Sequence, residues 1–93
     1  MRNPVVGEKV FVFQPETKCC KAHWVETSVT KTWLESGSFV FETNDSVELL
    51  DGTDDSSFLF DEWSEEDEGN CWSFSKPDTD LAVQEKMFRA AFD

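Results

Sequence analysis

Cys19, Cys20, His23 and Cys71 have the plainest chemistry in this chain, because three thiols and one imidazole are by type a complete tetrahedral zinc set. Their spacing argues against that use. Adjacent cysteines on an extended strand point to opposite faces, and no C-x-x-C knuckle is present to turn them onto one ion. Small buried or half-buried thiols are the expected state. Cys19 or Cys20 beside His23, the single histidine, is also the nearest approach to a nucleophile–base pair, but nothing is spaced to orient it. A chain of 93 residues leaves little volume for a deep reaction pocket.

The second chemistry belongs to "DEWSEEDEGNCWSF", residues 61–74, which sets six carboxylates beside Trp63, Trp72 and Phe74 with no lysine or arginine. Paired carboxylates do acid–base work only where burial or a neighbour separates their pKa values, and a run this polar is expected to be solvated. Calcium fails on position. From Asp51 to Glu62 acids occupy the first, fifth and twelfth places of an EF-hand-length loop, but Thr53 holds the third and Ser56 the sixth, where the sharp turn needs glycine. The expectation is therefore a non-enzymatic protein with no metal and no cofactor.

Charge is distributed unevenly. Residues 1–31 carry five basic and three acidic side chains, residues 32–75 thirteen acidic and none basic, and residues 76–93 three basic and four acidic, for a net −12. Such a field repels nucleic acid and anionic membranes and attracts basic protein surfaces. No apolar run approaches the roughly 20 residues of a membrane span, residues 1–20 hold no apolar signal core, and an odd cysteine count with two adjacent is a poor disulfide framework. A cytoplasmic protein with free thiols is expected.

The elements that must carry these groups read as one domain over 1–93, with a β core at about 5–75 and a helix at about 78–92. "EKVFVF", residues 8–13, is a β-branched and aromatic strand. Residues 21–36 alternate as a long strand with a bulge or bend near Thr27–Ser28. Gly37 marks a hairpin, "FVFET" (39–43) and "VELL" (47–50) are strands joined by "TNDS" as a turn or a short extended link, and "FLF" (58–60) and "CWSF" (71–74) flank the acidic run as short apolar pieces. In the C-terminal helix Asp78, Thr79 and Asp80 supply capping oxygens, and Leu81, Val83, Met87, Phe88, Ala90, Ala91 and Phe92 fall on one arc expected to be buried, with Gln84 intruding. Nine Phe and four Trp give so short a chain its apolar area. The fold class is mainly β (α+β): a small, strongly bent antiparallel sheet or SH3-like barrel of about five strands with one amphipathic helix.

Residues 24–50, "WVETSVTKTWLESGSFVFETNDSVELL", resemble the central hairpin of short uncharacterised β-rich proteins of phages and bacteria, which read W-x-x-T-S, a hairpin, then T-x-N-S-V-Y-x-L. Trp24, Thr27, Ser28, Thr43, Ser46 and Val47 match, as does Leu49 or Leu50; Asp45 stands for the usual Asn and Glu48 for the usual Tyr. The resemblance implies a small β domain and a phage origin, and it assigns no site.

What remains is the acidic segment itself. Alternate residues on one strand face lie about 6.6–6.8 Å apart, roughly the separation of successive backbone phosphates, so strand-borne carboxylates can occupy a Lys/Arg groove built for nucleic acid. The partner-binding residues expected are Asp54, Asp55, Asp61, Glu62, Glu65, Glu66, Asp67 and Glu68, with Trp63 and Trp72 as desolvated anchors. The expected partner is a basic, nucleic-acid-binding protein rather than nucleic acid or membrane. The competing expectation is a structural or accessory module that self-associates or docks through edge strands and the C-terminal helix.

Overall fold

Runs of β-branched and aromatic residues become five strands in the computed structural model, which describes residues 3–18, 20–50 and 57–92. They are β1 (Lys9–Gln14), β2 (His23–Glu35), β3 (Ser38–Leu50), β4 (Ser57–Ser64) and β5 (Trp72–Ser73). A 3-10 turn, Glu65–Asp67, precedes β5, and one helix, α1 (Leu81–Phe92), closes the chain. All ladders are antiparallel, in the order β4-β3-β2-β1-β5. The mainly β class, the strong bend and the C-terminal helix are as expected.

The bend lies in β2. Its first half, His23 to Ser28, pairs with β1, and from Val29 onward it pairs with β3, with a register shift between Val29 and Lys31. One long strand thus feeds two half-sheets, whose inner faces share a core that includes Val10, Val12, Val29, Phe41, Val47, Trp63 and Trp72. The hairpin after β2 is a two-residue turn with Ser36 at φ 52° and Gly37 at φ 82°, left-handed at both positions as a tight hairpin requires.

"TNDS" is not a break between two strands. β3 runs through it and bulges, so that four residues between Glu42 and Val47 face the single Asp61 of β4. Side chains satisfy the disturbed backbone: the Thr43 hydroxyl donates to the Asp45 carbonyl at 2.8 Å, and the Asp45 N–H donates to the Thr27 hydroxyl at 3.0 Å. The Trp63 indole N–H donates to the Thr43 oxygen at 3.1 Å. Likewise β4 continues past "FLF" through Asp61, Glu62 and Trp63.

Two side chains stitch the sheet where no ladder does. The Trp72 indole donates to the Ser64 carbonyl at 2.8 Å, joining β5 to the end of β4. The Gln14 amide exchanges two bonds, both 2.8 Å, with the N–H and C=O of Glu48, so the end of β1 meets the far half of β3.

The helix starts at Asp80, whose carboxylate accepts from the Ala82 and Val83 N–H groups at 2.9 and 3.3 Å. Its expected apolar arc is not the buried one. Gln84 and Phe88 are buried, whereas Leu81, Val83 and Met87 are 44%, 50% and 37% exposed, and Ala90 and Ala91 also face solvent. The reason is polar: the Gln84 amide donates to the carbonyls of Gly69 and Asn70 at 3.0 and 2.8 Å, supplying donors to the loop before β5. Phe88 lies 5.6 Å from Phe13, which stacks edge-on against Trp24 at 5.2 Å. Since strand side chains alternate, α1 covers the face of β1 and β2 opposite Val10 and Val12.

Candidate protein-binding face

Cross-strand register decides which carboxylates share a surface. Phe41 pairs with Trp63 and both point inward, at 0% and 1% exposure. Val40, Glu42, Glu62 and Ser64 therefore point outward, and so do their neighbours on β2. Three rows result. Glu35 pairs with Ser38, whose hydroxyl donates to Glu66 at 3.4 Å; Trp33 pairs with Val40, and Val40 with Ser64; Lys31 pairs with Glu42, and Glu42 with Glu62.

The outer face of β2, β3 and β4 is thus a half-buried Trp33 over a buried Val40, ringed by Glu35, Glu42, Glu62 and Glu66. Lys31 is the one cation in these rows and lies 5.4 Å from the Trp33 ring centroid, within cation–π range. Glu42 and Glu62 sit directly opposite one another with Cβ atoms about 4.5–5.5 Å apart, a like-charge pairing that costs stability. Thr30 donates to the Glu42 carbonyl and carboxylate at 3.2 and 3.4 Å, steadying that side chain.

The acidic residues singled out by sequence are not one array. Glu62 and Glu66 are exposed on the face just described; Asp61, Glu65, Asp67 and Glu68 are half-buried. Glu65 is engaged internally, its carboxylate accepting the Phe39 N–H at 2.9 Å just where β4 has ended. Ser64 caps the 3-10 turn by accepting from the Glu66 N–H, and the Asp67 carbonyl accepts from Asn70 and Cys71 at 3.0 and 2.8 Å. Burial pushes the Asp67 carboxyl above the usual carboxylate range, Glu66 adds to the shift, and a backbone hydrogen bond from Ser64 opposes it. Asp54 and Asp55 lie outside the described residues, as does Cys19.

Trp63 and Trp72 require correction as surface anchors. Each is about 1% exposed. Trp63 stacks edge-on with Phe60 at 5.2 Å, and Trp72 does so with Phe41 and Phe74 at 4.8 and 5.1 Å. Glu62, the charged neighbour of Trp63, points the other way; Trp72, on β5, has the uncharged Cys71 and Ser73 as neighbours. The aromatic that does stand among carboxylates is Trp33, and its signal was the alternation of Lys31, Trp33 and Glu35, which puts all three on one side.

Among the described residues no three His, Cys, Asp or Glu side chains converge as a metal-holding group. Cys71 is fully buried, and burial with Asp67 nearby pushes its thiol up to about 12. It is a protonated core thiol at neutral pH. His23 is exposed, its Nδ1 2.7 Å from the Lys21 carbonyl. Among the described residues no helix is long and apolar enough to cross a membrane. No protein-family model, no curated protein and no solved structure matches the chain.

Proposed function

We propose that this is a non-enzymatic acidic binding protein that occupies the basic, nucleic-acid-binding surface of another protein. The observation that carries the reading is the outer face of β2, β3 and β4, where Glu35, Glu42 and Glu62 on the strands and Glu66 on the 3-10 turn surround Trp33. Carboxylates held by the sheet, with Glu42 directly opposite Glu62 and their Cβ atoms about 4.5–5.5 Å apart, replace phosphates without the ordering entropy that a flexible acidic tail loses on binding. Trp33 adds a desolvated contact of the kind that dominates interfaces. Together with the net −12 charge and the resemblance to short phage proteins, this favours a phage-encoded inhibitor of a host or anti-phage defence protein, of the anti-CRISPR or anti-restriction type, acting in the host cytoplasm. The test is displacement of DNA or RNA from purified nucleases and effector proteins by the intact chain. Displacement should weaken steeply with salt and disappear in the Glu35→Lys/Glu62→Lys/Glu66→Lys variant while the far-ultraviolet spectrum is kept. Equal displacement by wild type and variant removes this face from the mechanism.

A second reading, a module that self-associates or docks through the helix, is favoured by the exposed strip of Val83, Met87 and Ala90 on α1. It predicts assembly that is insensitive to salt and abolished by Met87→Asp, which sedimentation at two ionic strengths separates from the first.

A further inference from the structure

We infer that the partner engages by strand addition: an extended, basic segment of the partner pairs with the free edge of β4 and continues the sheet beside the acidic face. This rests on the reading of the partner as a basic protein and names its mode of attachment.

β4 ends the strand order, and its outer side carries no ladder among the described residues. Which of its backbone groups point off the sheet follows from Gln14. Because the N–H and C=O of Glu48 are both bound to the Gln14 amide, they face away from β4. Glu48 and its partner Leu59 are then a non-hydrogen-bonded antiparallel pair, so the N–H and C=O of Leu59 point outward from the edge. The Leu59 side chain is 73% exposed and Phe58 is 50% exposed.

Edges are ordinarily blunted by lysine, proline or a bulge on the edge strand itself. β4 has no lysine and no proline, and the bulge in its ladder lies on β3. At one end the edge is blunted by the Trp72 indole on the Ser64 carbonyl and by the negative charge of Asp61 and Glu62. That charge also selects the occupant. A segment with apolar residues opposite Phe58 and Leu59 and Lys or Arg opposite Asp61 and Glu62 matches the edge throughout. A second copy does not: twofold pairing centred on Phe60 puts Glu62 opposite Phe58 and Asp61 opposite Leu59, and brings together two chains of net charge −12.

The experiment is residue-resolved amide exchange on the intact chain. The probe is a synthetic eight-residue peptide with two valines at one end and alternating lysine and threonine at the other, set against the same peptide N-methylated at alternate positions, which keeps charge and loses pairing. Alone, the Leu59 amide should exchange fast while core-strand amides are protected. With the unmodified peptide near saturation its exchange should slow by about tenfold, and the methylated peptide should leave it unchanged. Unaltered exchange at Leu59, equal slowing by both peptides, or slowing on concentrating the chain without peptide overturns strand addition, the last in favour of a second copy. If both peptides shift Trp33 at low salt and Leu59 stays unprotected, strand addition fails and the acidic-face reading stands; if neither binds anywhere, both fail.

Discussion

The Glu65 carboxylate accepts the backbone N–H of Phe39 at 2.9 Å. It fills the place of the strand that ended one residue earlier, because β4 pairs with β3 only as far as Ser64 opposite Val40. The 3-10 turn thus caps a sheet edge with a side chain, and the densest part of the acidic run is in part structural.

Neutralising neighbours in that run should therefore have unequal effects. Glu65→Ala leaves a partly buried N–H without its acceptor and should destabilise by about 1–2 kcal/mol. Glu66→Ala, whose carboxylate is exposed and accepts one 3.4 Å bond from Ser38, should stay within about 0.5 kcal/mol. Urea midpoints of the two variants check this, and equal midpoints would show that the Phe39 contact contributes little.

On α1 the sensitive position is the polar one. Gln84→Glu sets a carboxylate against the Gly69 and Asn70 carbonyls that the amide now serves, with no room to solvate it at 0% exposure. Its carboxyl would be held protonated in the fold, so the variant should be most stable in acid and lose stability as pH rises toward neutrality. Met87→Ala, on the exposed strip, should change stability by under about 1 kcal/mol. Thermal unfolding of both variants at pH 4 and pH 7 separates them.

This helix also shows what a sequence conveys and what it withholds. Helical period, cap and end were legible from Asp80 onward, but the buried face was assigned by counting apolar residues. A loop two elements away that needed two hydrogen-bond donors overrode that count. β2 was legible from its long alternation, and so was a break in it, but Thr27 and Ser28 pair regularly with Val10 and Lys9 and the register shifts between Val29 and Lys31. β3 was not, since Asn44, Asp45 and Ser46 have turn chemistry and only Thr27, Thr43 and Trp63, brought together by the fold, make a bulge of them. The candidate face was half legible. Glu62 and Glu66 stand on it; Trp63 does not, because alternation sends it opposite to Glu62, and Trp72, on β5, packs inward against Phe41 and Phe74.

Asp67 offers a pH test with a definite sign. Its carboxyl is raised above the ordinary value of 3.8 by burial and then by Glu66, so the fold binds the proton more tightly than the unfolded chain does. Its contribution is fully present below pH 3.8 and is lost as pH rises through the raised value. Asp67→Asn keeps an oxygen for the Ser64 N–H and removes the charge. The variant should be the more stable protein at pH 7, and its advantage should shrink as pH falls below about 4. Chemical unfolding of the two proteins across that range tests it; a constant difference would assign the effect to something other than titration.

Glu62 sets stability against binding. It faces Glu42 across the β3–β4 ladder, a like-charge pair that disfavours the fold by some tenths of a kcal/mol, and Lys31 on the far side of Glu42 offsets only part of that. Glu62→Lys turns repulsion into attraction and should stabilise the domain by about 0.5 kcal/mol, most clearly at low salt, where screening is least. The same change reverses a charge on the proposed contact face and beside the β4 edge, so affinity for a basic partner should fall while the melting temperature rises. On the proposed function, this repulsion is the cost of keeping the field of the contact face. Were Glu62→Lys to bind and displace nucleic acid as well as wild type, the repulsion would have no functional counterpart and the acidic face would lose its strongest support.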